Sequence, residues 1–296
     1  MSRITLENGT LRATFDTVGG EPVSLGIRTG NGGYDEVLWN GDEKFWDEHA
    51  PLLFPTVGRL RGGKWICRGE ERELGLHGFA RFLRAARVAP GDNCVTFTFR
   101  GNEDTARSYP FDFLLTRSFR LEGNALLSSV TVENRDVVPM PFSLGLHPGF
   151  MMPGKRSVLE LEYREPPRRM TLSDRYFMSG ETEPYALRDG KYIDLDNSLF
   201  DHDAVILTGV VSATLRSADP SDDARKIRVT CPDAFVFGFW QPAHSDAPFV
   251  CIEPWRGFPS FEASDDEPYD DAMTRRGMTV LAPGEKYVYN CKTEIE

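Results

Sequence analysis

The sequence predicts an all-β protein, one large antiparallel domain over residues 1–296, and three observations carry that prediction. Apolar and polar residues alternate through 95–100, 111–121 and 126–133, the period-2 pattern of strands with one buried face. Helical periodicity is nearly missing: only 102–108 reads as a short helical turn, with Asn102 or Asp104 as its cap and Pro110 as its stop. Glycine, proline and asparagine punctuate the chain at short intervals, with no long Gly/Ser/Pro linker and no internal repeat.

Taken in order, Leu11 to Asp16 alternates, Gly19 and Gly20 break the pattern, and a second strand resumes from Pro22. Residues 34–47 mix Trp39, Phe45 and Trp46 with an Asn-Gly-Asp turn and read as exposed aromatics. Two prolines, Pro51 and Pro55, exclude a helix before Arg59, the first cation to place near a site, although taken alone it reads more readily as a surface cation over apolar neighbours. His77 lies between glycine and apolar residues, and Gly78 lets another group approach the backbone. Glu122-Gly-Asn reads as a hairpin turn. Residues 156–196 read as connecting segment and edge strand. Asp201 and Asp203 stand just before an apolar strand, and 235–240 is a near-continuous apolar run ending in Trp240, which suits either a core or the apolar face of a sugar ring. Asp265-Asp-Glu and Asp270-Asp271 read as a solvated acidic loop rather than a calcium site, and a turn and last strand close the chain.

Composition excludes several classes of function. The formal net charge is −11, with no basic block to gather phosphates, so nucleic acid is not an expected partner. No run approaches the roughly 20 apolar residues of a membrane helix, and the first residues lack the pattern of a signal peptide, so a cytoplasmic protein without a membrane partner is expected. Five cysteines without a C-x-x-C spacing argue against a disulfide framework and a zinc site, and are read as reduced, mostly buried thiols.

Two stretches place polar groups where apolar strands end. In 249–257 an apolar run delivers Glu253 and then meets Pro254, which should stop the strand because proline cannot donate to a ladder. Alternation puts Phe249, Cys251 and Glu253 on one face and Val250 and Ile252 on the other. Glu253 therefore points into a partly dry cleft that raises its pKa, or else reaches water or Arg256. His147, followed by Pro148 and Gly149, ends a second such strand, and the two groups are expected to converge. No further ligand at short spacing accompanies His147, so a metal is not expected.

Seven ordered segments resemble the aldose 1-epimerase (mutarotase) superfamily, in its LacX-like branch: 53–60, 76–81, 109–113, 139–150, Asp203-Ala, 238–240 and 249–257. The resemblance covers nearly the whole chain. It implies a large β-sandwich, the galactose mutarotase-like supersandwich, with a sugar cleft on a concave face. It also implies an isomerase without a cofactor that interconverts hexose anomers, with His147 as general acid and Glu253 as general base. Arg59, His77 and Asp203 match hydroxyl-binding positions, with Asp201 as the alternative to Asp203, while Trp240 and Phe79 are candidates for apolar ring contacts. Phe82, Leu146 and Gln241 depart from the pattern and bear on substrate choice. A non-catalytic sugar-binding module, an epimerase of a charged hexose met by Arg59, Arg81 or Arg256, and a glycosidase using Glu253 with Asp203 are the alternatives. The protein is expected to be a monomer or homodimer.

Overall fold

The computed structural model describes residues 2–154, 156–219, 221–222, 224–263 and 268–296. Its largest sheet has nine antiparallel strands, running from Tyr192–Asp194 through Ser157–Tyr163, Val210–Ser217, Ile227–Thr230, Lys286–Ile295, Ala125–Asn134, Phe113–Glu122 and Cys94–Arg100 to Arg87–Pro90. The long central hairpin turns at Gly123, in the left-handed region at φ 56° as its position between the alternating runs requires. Asn102 caps the short helix Glu103–Ser108 in a capping box with Thr105.

A second sheet runs Met178–Pro184, Arg168–Leu172, Val205–Thr208, Val236–Trp240, Phe249–Arg256, Leu144–Leu146, Leu52–Leu53, and Gly149–Met151 also pairs with Phe249–Arg256. One face of this sheet (Val205, Leu207, Phe237, Phe239, Val250, Ile252) packs against inward residues of the nine-stranded sheet such as Phe97, Leu115, Val130 and Leu215 in one core. The alternate residues face the other way and carry the site. Among the described residues, no helix is long and apolar enough to cross a membrane.

The structure corrects three local expectations. The strand does not stop at Glu253 but runs through Pro254 to Arg256. The Ile252 N–H reaches Pro148 O, so by alternation the missing N–H of Pro254 faces the same side, where the neighbouring chain breaks between Leu146 and Gly149. Residues 156–196 hold four strands, of which Ser157–Tyr163 and Arg168–Leu172 are interior. Trp39 is buried rather than exposed, stacked 4.3 Å from Phe249 with its indole N–H donating to Trp46 O. All five cysteines are free thiols, four of them buried. Asp265, Asp266 and Glu267 lie outside the described residues, while Asp270 pairs with Arg61 at 3.1 Å and Arg275 at 3.4 Å.

Candidate active site

Alternation along Phe249–Arg256 settles what sits beneath the cleft: Val250 and Ile252 enter the core between the sheets, and Phe249, Cys251, Glu253 and Trp255 face outward. Trp255 lies across two cross-strand glycines. A Cβ on Gly145 would fall 2.8 Å from Trp255 Cδ1, and one on Gly238 would fall 3.0 Å from its six-membered ring. Both neighbouring strands thus give up a side chain so that the indole can lie flat, with its N–H donating to Glu253 Oε2 at 3.2 Å. His147 arrives from the break opposite Pro254, and its Nε2 stands 3.1 Å from the same Oε2.

This pair is almost dry. Glu253 is 1% exposed, and among the described residues neither its Oε1 nor His147 Nδ1 has a hydrogen-bond partner. Burial pushes the Glu253 carboxyl well above the usual range, helped by the charge of Asp203 and opposed by the Trp255 N–H. Burial likewise drives His147 down to about 3, with Arg81 adding to the effect. Both directions favour uncharged groups, so the pair holds one proton along the 3.1 Å line.

The pair opens onto a cavity of about 270 Å3. His77 borders it in a left-handed conformation (φ 60°), followed by Gly78, where a Cβ would meet Phe54 O at 2.3 Å. His77 Nδ1 accepts the Gly58 N–H at 3.1 Å, and burial holds the ring well below its ordinary pKa, so its proton sits on Nε2 as a donor. Arg59 and Asp203 pair at 3.4 Å on one side of the cavity, and Arg81 and Glu48 at 3.1 Å on another. Trp46 and Trp240 flank the His147 ring, with centroids at 4.9 and 5.7 Å.

The loop that brings Trp46 and Glu48 is held from behind. Glu21 Oε1 accepts the His49 and Ala50 N–H groups at 2.9 and 2.8 Å, and the buried Arg117 guanidinium donates to Ala50 O at 3.1 Å. Gly149 leaves space for this loop, since a Cβ there would sit 3.0 Å from Trp39 and 3.2 Å from Trp46.

Of the residues singled out in the sequence, His147, Glu253, Arg59, His77, Asp203 and Trp240 share this cavity. Phe79 does not: beyond Gly78 the chain turns inward, and the Phe79 ring packs 6.0 Å from Phe54 and Phe113 and 6.1 Å from Tyr109. Asp201 pairs with His244 at 3.0 Å and is not part of the wall. Arg256 points away, between the rings of Phe235 and Tyr287. Gln241 is buried and donates to Ala247 O, closing its own loop. Sequence reasoning missed Trp46, Glu48 and Tyr176 as wall residues. The dense aromatics of 34–47, unaccompanied by strand alternation, were the available signal for the first.

His147, Cys251 and Glu253 offer three donor atoms within 4.8 Å of one another. The Cys251 thiol is pushed well above its ordinary pKa by burial and by Glu253, which disfavours the thiolate that a metal would need.

A family model described as aldose 1-epimerase matches residues 2–294. The plasmid-encoded protein LacX of Lactococcus lactis subsp. lactis is 32% identical over 271 residues, covering 86% of this chain and 87% of the relative. A galactose mutarotase-like protein from Lactobacillus casei ATCC 334 superimposes over the whole of both chains with a TM-score of 0.91 and 30% identity. A galactose mutarotase related enzyme from Lactobacillus acidophilus does so with a TM-score of 0.90 and 27% identity, covering 100% of this chain and 97% of that one.

Proposed function

The chain belongs to the aldose 1-epimerase family, and from that premise we propose that it interconverts the α and β anomers of a hexose by general acid and base catalysis. The observation that carries this reading is the buried contact of His147 and Glu253, 3.1 Å apart at the floor of a cavity edged with hydrogen-bonding side chains.

Anomers interconvert by opening the hemiacetal, rotating about C1–C2 and closing on the other face. A base removes the C1 hydroxyl proton while an acid protonates the ring oxygen, and the roles reverse on closure. Glu253 serves as base and His147 as acid, so the reactive form places the shared proton on Nε2. The closed cycle returns each proton to its starting group, and no cofactor enters it. The His77 Nε2–H and the Arg59–Asp203 pair supply donors and an acceptor for hydroxyls, holding the open aldehyde in place.

Polarimetric relaxation of freshly dissolved α-anomers tests the reading. Acceleration by the native protein should fall by about 10²–10⁴ in His147→Asn and in Glu253→Gln, without the two losses multiplying. The pH profile is a second arm. The kcat/KM of the free enzyme follows the one-proton form, which gains a second proton only as His147 titrates at about 3 and loses its one proton only at the raised pKa of Glu253. Activity therefore persists above about pH 6.5, where an unshifted histidine would have lost its proton. Saturable sugar binding with an unchanged relaxation rate would instead identify a binding module.

A further inference from the structure

Two of the buried cysteines face each other across one rung of the nine-stranded sheet. Ile227–Thr230 and Lys286–Ile295 pair antiparallel with Thr230 opposite Lys292, so the next rung sets Cys231 opposite Cys291. Further along the same pair of strands, Lys226 and Glu296 exchange both backbone hydrogen bonds, at 2.9 Å each. Bonded and non-bonded rungs alternate from there, which makes the rung of Cys231 and Cys291 non-bonded. The Cys231 N–H agrees, since it turns to the other neighbouring strand and donates to Val211 O at 3.0 Å. At a non-bonded rung the Cα atoms stand about 4.5 Å apart, within the roughly 4.4–6.8 Å that a disulfide spans. Both side chains belong to the core between the sheets, and the Cys231 thiol donates to the Asn290 carbonyl, next to Cys291, at 3.2 Å.

The other three cysteines lie elsewhere. Cys94 is three strands away from Cys291 in the same sheet, about 14 Å at the usual spacing of strands. Cys67 ends Lys64–Cys67 in a small separate sheet, and Cys251 lies under the cleft. An oxidant meets the two opposed sulfurs unequally. Cys231 is sealed, whereas Cys291 is 7% exposed and borders a groove of about 630 Å3 that also carries Thr96, Ser118, Ser128 and Lys292. Its hydrogen bond with Cys231, together with burial, holds the Cys291 thiol well above its ordinary pKa. Such a thiol reacts slowly and answers sustained rather than brief exposure.

We propose that Cys231 and Cys291 form an oxidation site, a dithiol that a peroxide converts into a cross-strand disulfide. The Cys291 sulfur attacks one peroxide oxygen, the O–O bond breaks, and the thiol proton leaves with the departing hydroxide as water. The Cys231 sulfur then displaces the hydroxyl of the resulting sulfenic acid, which takes the Cys231 proton and leaves as a second water. Each thiol gives up one electron and the peroxide is reduced. The new bond closes a loop holding Val236–Trp240 and Phe249–Arg256, so it staples the segment that carries Trp240 and Glu253.

The test is to incubate native protein with excess hydrogen peroxide, block free thiols after unfolding, digest it and identify the cysteine-containing peptides by mass. A peptide pair joined through Cys231 and Cys291, and separated by dithiothreitol, is expected. Cys94→Ser should form the same link. Peroxide should also raise Tm by about 3–6 °C more in the native protein than in Cys231→Ala or Cys291→Ala treated alongside, each compared with its own untreated form. Cys291 carried to sulfinic or sulfonic acid beside a free Cys231 thiol, a link that uses Cys94 instead, or recovery of both as free thiols overturns the proposal. The peptides of the native chain decide this even where a variant fails to fold.

Discussion

Glu253 and Tyr176 face the same cavity from opposite kinds of backbone. Glu253 lies inside a strand paired on both edges, 1% exposed, beside an indole bedded on two glycines. Tyr176 sits on a turn, 43% exposed, in a left-handed conformation held by a handful of side-chain bonds. Reactive groups need fixed distances and exclusion of water, and sheet interiors provide both. Substrate choice needs surfaces that can vary without disturbing the core, and turns provide those. The floor therefore stores electrostatic strain, and the rim stores backbone strain.

The sharpest way to expose the strain in the floor is to remove its titratable groups and follow stability with pH. The folded-state pKa of Glu253 lies above its unfolded value, so as pH rises past about 4.3 the unfolded chain ionises first and the fold loses stability until the folded pKa is passed. Glu253→Gln should therefore cost about 10²–10⁴ in rate while raising Tm, by an amount that grows with pH. His147 works in the opposite direction: the unfolded chain takes a proton below about 6.5, and the folded one only at about 3. His147→Asn should gain its stability towards acid pH. Calorimetric scans of both variants from acid to mildly alkaline pH check the signs, and a Glu253→Gln variant destabilised across the whole range would show that the carboxyl is structural.

Next in size is the bed beneath the indole. Gly145→Ala places a methyl 2.8 Å from Trp255 Cδ1 and 3.0 Å from Leu53 Cδ1, in a region with no slack. Overpacking of that kind costs about 1–3 kcal/mol. Because the displaced indole carries the N–H that holds Glu253 Oε2, kcat should fall with the stability. Urea melts and polarimetric rates, measured together, test whether the two losses coincide.

The same contrast governs what could be read in the chain. A lone carboxylate or histidine at the end of an apolar run is a local conflict between polarity and pattern, and His147 and Glu253 were legible for that reason. Trp46, Glu48 and Tyr176 come from turns without a period, and contacts with Glu21, Arg117 and Glu262, far along the chain, decide where they point. The strand through Pro254 was misread for a related reason, since whether a missing N–H matters depends on a break in a neighbour more than a hundred residues earlier in the chain, at 147–148.

The rim predicts smaller and differently distributed effects. The side chains of Arg59 and Asp203 are 44% and 27% exposed, and a pair so open to water contributes about 0–1 kcal/mol to stability. Arg59→Met and Asp203→Asn should leave Tm within a few degrees of the native value and raise KM about tenfold or more, the loss expected for a charged hydrogen bond to substrate. A Tm loss that outweighs the change in KM would move the pair from the rim to the scaffold.

Phe79 marks the boundary, and the smallest effect on catalysis belongs to it. Only Gly78 separates it from His77, yet two successive left-handed residues reverse the chain, leaving the imidazole in the cavity and sending the phenyl ring among Phe54, Tyr109 and Phe113. Both Phe79 N–H and Ala80 N–H donate to Phe54 O, at 2.9 and 3.2 Å, which fixes the direction in which the ring leaves. Phe79→Leu should cost about 1–1.5 kcal/mol of stability as a hydrophobic swap that forces local repacking, with KM for any sugar unchanged within twofold. His77→Gln, two positions earlier, should do the reverse, raising KM with little change in Tm. A Phe79→Leu variant that weakens sugar binding would mean that core and cavity are coupled across this turn, and that the division between scaffold and site is less sharp here than the packing of the two rings implies.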